Sequence, residues 1–190
     1  MEIVTKIPVA YLANPYGFNQ HGREALKKII PILENVGLKV LEPFEESSTS
    51  PLLEKVICLE NDISSLQSDL DVARCQFYTE VGKRNIELMD KADCMIALLD
   101  GADVDSGTAS EVGYFYGKNI NGPFKPIFGL RTDMRQCEPG APANIQVVQF
   151  ITESGGDLFT GLNGFENLVN AVGKWSHDYF SNGVSLYAEV

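Results

Sequence analysis

Carboxylates crowd one short stretch of this 190-residue chain, Asp100-Gly101-Ala102-Asp103-Val104-Asp105-Ser106-Gly107-Thr108-Ala109-Ser110-Glu111. Two chemistries fit it. In the plain one, Thr108 caps a helix and Glu111 reaches back to it, which makes the pair a capping box. In the other, Glu111 sits in the first turn of that helix, where free N–H groups and the helix dipole favour an ionised carboxylate. A positioned carboxylate is the nucleophile that glycosyl transfer uses, and Asp105, six residues earlier, is a second acid for the same cavity. The small Ser106-Gly107-Thr108 segment lets a ligand approach the backbone closely.

The elements around this stretch place it. Strand-like runs are expected at 7–13, 38–44 (broken by Pro43), 93–99 and 125–130, with a short last strand at 158–162. Helical periods occupy 20–36, parts of 47–70, 81–92, 109–118 and 165–180. Pro31 is expected to kink or split the first helix. Residues 45–50 and 131–143 read as loops, and 144–152 fits either helix or strand. Alternating strands and helices imply an α/β fold, a parallel sheet of about five strands with helices on both faces. Ligands bind such sheets beyond the carboxyl ends of the strands. Residues 11–18, after the first strand, and residues 100–111 should open on that one edge.

Composition narrows the function. The formal net charge of −11 disfavours nucleic-acid polymers as partners but leaves uncharged nucleosides open. The four cysteines (Cys58, Cys75, Cys94, Cys137) form no metal-binding or redox motif, and Cys94 falls in an apolar run. His21 and His177 are too far apart in sequence to suggest a histidine-based site. The beginning of the chain does not read as a signal peptide, and no apolar run is long enough for a membrane span. The expectation is one cytoplasmic domain over residues 1–190.

Four segments together resemble the nucleoside 2-deoxyribosyltransferase family: Val9–Phe18 (VAYLANPYGF), Val40–Phe44 (VLEPF), Ala92–Gly101 continued by Asp105–Gly113 (DSGTASEVG), and Pro142–Ile145 (PANI). The resemblance covers about residues 7–150, and the Asp-Ser-Gly-Thr-Ala-x-Glu-x-Gly segment is its specific part. It implies a flavodoxin-like or Rossmann-like fold and base exchange on 2'-deoxynucleosides, with free nucleobases as the second substrate. Glu111 falls on the family's nucleophile and Asp105 on a carboxylate that helps to hold the sugar. Tyr11 falls on a tyrosine near the nucleophile, and Asn144 on an asparagine donated across a subunit interface. Gly107 falls in the same substrate turn, and Tyr16 and Phe18 are aromatic candidates to sandwich the base. Where some members carry an aspartate that protonates the leaving base, this chain has Asn85, which can hydrogen-bond a base but cannot act as a general acid. Tyr187 is a further candidate near the end of the chain. The resemblance implies no metal and no cofactor, and a homo-oligomer built from dimers with shared active sites. Two alternatives stay open: a hydrolase of 2'-deoxynucleoside 5'-monophosphates, for which Arg131 and Arg135 are possible phosphate contacts on an otherwise solvated loop, and a nucleoside-binding module without turnover.

Overall fold

The computed structural model describes residues 7–62, 64–135 and 140–185. They pack as two compact units, one made from the chain up to Leu41 and from Ala92 onward, the other from Glu42–Lys91. The first unit holds five parallel strands: β1 (Val9–Ala13), β2 (Lys39–Leu41), β3 (Cys94–Leu98), β4 (Ile127–Arg131) and β5 (Leu158–Thr160). Their order is β2-β1-β3-β4-β5, the flavodoxin-like arrangement of an open α/β sheet. Strands β3 and β4 are buried along their whole length, as central parallel strands covered on both faces must be.

Alternation along the strands divides the core. Ala10, Leu12, Cys94, Ile96, Leu98, Phe128 and Leu130 join Leu26 and Leu33 of α1 (Gln20–Asn35) and Leu168 and Val172 of α7 (Gly164–Ser185) in one cluster. The intervening residues, Tyr11 and Ala13 on β1 and Met95 and Ala97 on β3, face the other way, where α5 (Ser106–Asn119) and α6 (Ile145–Glu153) pack on the sheet. This alternation puts Tyr11 on the α5 side. The amino ends of β1 and β3 are tied by Asp93, which accepts from Val9 N at 3.0 Å and from the Tyr179 hydroxyl at 3.0 Å.

Helix α1 runs unsplit through Pro31, so the split, one of the two expected outcomes, does not occur. It starts at Asn19, whose side chain accepts from Gly22 N at 2.8 Å. Gly22 has no substitute at this position, because a Cβ would lie 2.2 Å from the Tyr16 carbonyl oxygen. The close approach seats the 3-10 turn Tyr16–Phe18 against α1.

The second unit is helical: α2 (Pro43–Ser47), α3 (Pro51–Asn61) and α4 (Gln67–Lys91). Two expectations change here. Residues 45–50 are not a plain loop, since 45–47 belong to α2, and residues 81–91 are the end of one 25-residue helix. Pro43 and Pro51 each occupy the start of a helix, where the missing N–H costs nothing. Glu42 and Ser50 cap those starts by accepting from Glu45 N at 2.7 Å and Leu52 N at 3.2 Å. No helix among the described residues is long and apolar enough to cross a membrane.

Candidate active site

At the carboxyl edge of the sheet, the Tyr11 hydroxyl donates to Glu111 Oε1 at 2.7 Å. Tyr11 is fully buried on β1, and Glu111 is half-buried on α5. The two residues lie 100 positions apart, and the parallel pairing of β1 with β3 brings them together by placing α5 over the Tyr11 face. A charge-assisted hydrogen bond of this kind fixes the orientation of a carboxylate.

The start of α5 differs from the capping-box expectation. Asp105, not Thr108, is the N-cap, and its Oδ2 accepts from Thr108 N at 3.0 Å and Thr108 Oγ1 at 3.3 Å. The helix therefore begins at Ser106, three residues before the expected start, and Glu111 lies in its second turn rather than its first. The dipole argument for Glu111 weakens accordingly, since that field falls off beyond the first turn. Thr108 is buried and has no capping role. Gly107 serves the cap: a Cβ there would come within 3.1 Å of Asp105 Oδ2. Asp105 Oδ1 has no partner among the described residues.

Asn144 caps α6, with Oδ1 accepting from Gln146 N at 3.1 Å and Val147 N at 3.3 Å. Its Nδ2 donates to no group among the described residues. The ambiguous 144–152 segment is thus a helix with a polar residue at its tip. The aromatic pair of the first loop separates. Phe18 is 71% exposed, whereas the Tyr16 ring packs on the core cluster and its hydroxyl donates to Asp100 Oδ2 at 3.0 Å. Burial first, then the Asp100 carboxylate, raises the Tyr16 phenol well above its ordinary range. The Tyr16 hydroxyl thus ties the loop after β1 to Asp100. Asn85 lies on α4 in the helical unit, half-buried.

Arg131 is the clearest departure from the sequence reading. It is the last residue of β4 and only 2% exposed, with its guanidinium turned onto main-chain carbonyls. It does not belong to a solvated loop and presents no face to a phosphate. Arg135 is exposed and paired with Asp133, and that guanidinium holds the Asp133 carboxyl well below the usual range. Sequence reasoning missed Asp100 as well. Its carboxylate accepts from Thr132 N at 2.5 Å, Thr132 Oγ1 at 2.6 Å and Asp133 N at 2.8 Å, besides Tyr16. For Arg131 the one available signal was a cation closing the apolar run Ile127-Phe128-Gly129-Leu130.

Cys94 is buried as expected, and burial, then Asp93, raises its thiol well above the ordinary value. Tyr116 stacks on Phe150 of α6 at 4.8 Å between ring centres, in keeping with a packing role. Cys137 and Tyr187 lie outside the described residues. The helical unit carries a cleft of about 840 Å³ lined by Ser50, Cys75, Glu80 and Arg84 among others, and none of the residues expected at the site lines it.

A family model described as nucleoside 2-deoxyribosyltransferase matches residues 10–170. A conserved protein from Enterococcus faecalis V583 is similar in structure, with a TM-score of 0.60 at 21% identity over 90% of this chain and 99% of that one. A 2-deoxyribosyltransferase from Bacillus psychrosaccharolyticus gives a TM-score of 0.54 at 20% identity, over 85% of this chain and 90% of its own. A 2-deoxyribosyltransferase from Leishmania mexicana gives 0.52 at 18% identity, over 86% and 97%. At these identities the likeness is one of fold. No curated protein matches the sequence.

Proposed function

The chain belongs to the nucleoside 2-deoxyribosyltransferase family, and from that premise we propose that it exchanges bases on 2'-deoxyribose with Glu111 as the nucleophile. The observation that carries this reading is the 2.7 Å hydrogen bond from the buried Tyr11 hydroxyl to Glu111 Oε1. It aims a carboxylate at the edge of the sheet where ligands bind.

In the first half-reaction, a Glu111 oxygen bonds to the anomeric carbon of a 2'-deoxynucleoside as the bond to the base breaks. The electron pair of that bond leaves with the base, which takes up a proton. In the second half, a ring nitrogen of another base attacks the same carbon, and the ester bond to Glu111 breaks with its electron pair returning to the carboxylate. The incoming base gives up a proton that balances the one taken up by the first. Two inversions retain the configuration, and release of the first base before entry of the second gives ping-pong kinetics. Loss of the 2'-hydroxyl eases positive charge at the anomeric carbon, because an electron-withdrawing oxygen is absent.

Tyr11 orients the nucleophile. Asp105 has Oδ1 left for a sugar hydroxyl after Oδ2 caps α5. Asn144 likewise has Nδ2 left after Oδ1 caps α6, and we place it at the active site of a neighbouring subunit. The proton for the departing base does not come from Asn85, whose amide has none to give as an acid. Substrates are neutral nucleosides rather than 5'-monophosphates: the Arg23 guanidinium donates to Gly17 O at 3.0 Å, and Arg131 is buried. The whole chain is read as one cytoplasmic catalytic domain, working as a homo-oligomer of dimers.

Incubation with 2'-deoxyinosine and adenine, followed by chromatography, tests this reading. Hypoxanthine and 2'-deoxyadenosine should appear together with the wild type and not with Glu111→Ala. Hypoxanthine with free deoxyribose, or turnover of 5'-monophosphates alone, would identify a hydrolase. No turnover of purine or pyrimidine donors would leave a binding module.

A further inference from the structure

Arg131 is buried, and no carboxylate among the described residues forms an ion pair with it. Its guanidinium instead serves main-chain oxygens: Nη1 donates to Leu99 O at 2.6 Å, and Nη2 donates to Gly101 O at 2.9 Å and to Arg135 O at 2.8 Å. Nε is buried and has no hydrogen-bond partner among the described residues. The three carbonyls belong to two loops, the one that follows β3 and runs into α5, and the one that follows β4.

Asp100 secures the same junction from the other side. It takes the Thr132 amide and hydroxyl and the Asp133 amide from the loop after β4, and the Tyr16 hydroxyl from the loop after β1. Between them, Arg131 and Asp100 join the loops at the carboxyl ends of β1, β3 and β4, three neighbours in the sheet. The turn they hold is unusual: Gly101 has φ +145°, and a Cβ there would lie 2.9 Å from Asp103 O.

Stability alone is a weak reason for such an arrangement. Taking a guanidinium out of water is costly, and an apolar side chain of similar volume avoids that cost. A planar fork, however, spans two loops at set distances, which neither an apolar side chain nor a lysine ammonium does. We propose that Arg131 is a positioning residue for the exchange reaction. Its fork sets the spacing between the turn that launches the Glu111 helix and the first residues of the loop after β4. The proposal rests on the functional reading above, and Arg131 acts through Glu111, with no contact to substrate.

The test compares the wild type with Arg131→Lys, Arg131→Met and Thr132→Val, the last removing one Asp100 bond while leaving Arg131 in place. Circular dichroism and thermal melts select the variants that fold. At saturating donor, kcat should drop about 100-fold or more in the Arg131 variants, the scale of a misplacement of about 1 Å. Their KM for the deoxynucleoside should change less than threefold as an order-of-magnitude guide. Thr132→Val should lose less in the same direction. Amide hydrogen exchange across residues 101–105 and 132–135 should accelerate in the same variants. A variant that melts earlier but keeps wild-type kcat overturns the proposal, and so does unchanged exchange in those segments. If the wild type itself exchanges no bases, the functional reading fails, and hydrogen exchange alone then decides whether Arg131 holds the turn. If Arg131→Met does not fold, Arg131→Lys and Thr132→Val carry the comparison.

Discussion

The sheet unit and the helical unit are held together by different physics. In the sheet unit, Leu12, Leu33, Ile96 and Val172 are among the residues with no exposed surface, and they belong to one continuous apolar cluster. In the helical unit, Val56, Ala73, Leu88 and Met89 are buried, but Ile57, Leu66, Val72, Tyr78 and Ile86 are all exposed, and polar ties run both within and between its helices. Arg84 reaches Glu46 at 2.8 Å and Glu87 at 3.2 Å, Arg74 reaches Glu60 at 2.7 Å, and the Ser50 hydroxyl donates to Glu80 at 2.5 Å. Buried apolar contacts tolerate little displacement, whereas exposed ion pairs are weak and adjustable. The difference teaches where precision resides: the Tyr11–Glu111 pair is mounted on the rigid unit, as a reacting group requires.

The sharpest way to break this contrast is a matched pair of truncations. Ile96→Ala should cost about 3 kcal/mol in urea unfolding, from lost burial plus the cavity left behind. Ile57→Ala should stay within about 0.5 kcal/mol. A large loss from Ile57→Ala would mean that this face is covered by another subunit, and the contrast would then describe the isolated chain alone.

Next in size is Tyr11→Phe. It keeps the ring packed and removes only the hydroxyl donor to Glu111. Loss of a hydrogen bond to a charged group is worth about 1.5–3 kcal/mol, so kcat should fall about ten- to a hundredfold while the melting temperature moves little. A melt that moves as much as the rate would make the tyrosine a packing residue.

Alkaline pH probes the sheet unit through two raised groups, Cys94 and Tyr16. In the unfolded chain the thiol ionises near 9.0 and the phenol near 10.0, while in the folded chain both stay protonated to higher pH. Their contribution is complete below those values and declines as pH rises through and beyond them. Melting temperature should therefore fall from about pH 9 upward. Cys94→Val should remove the earlier part of the fall and Tyr16→Phe the later part.

The smallest effect belongs to the helical unit. Arg84→Ala should cost less than about 1 kcal/mol, and added salt should shrink the difference between variant and wild type. A cost several times larger would mean that Arg84 organises this unit in the way that buried residues organise the sheet.

The apolar runs at 93–99 and 125–130 were legible because central parallel strands are apolar throughout, and the motif around Glu111 was legible because it couples chemistry to a strand end. Three features were not. The first helical residue of α5 depended on which of two adjacent capping patterns wins; Asp105 and Thr108 both offer an oxygen, and only the path of the turn decides. Pro43 reads as a strand breaker and also as a helix starter, and the choice follows from Glu42 being able to cap. Arg131 read as solvated because charge is usually exposed. Its burial follows from carbonyls contributed by Leu99, Gly101 and Arg135, the first two about thirty positions away, which no local pattern announces.

The two outermost strands of the sheet, β2 and β5, are each three residues long. An incoming strand would find a ladder too brief to grip, so the open edges offer little template for sheet-to-sheet growth. A concentrated solution should resist conversion to fibrils for as long as the sheet stays folded.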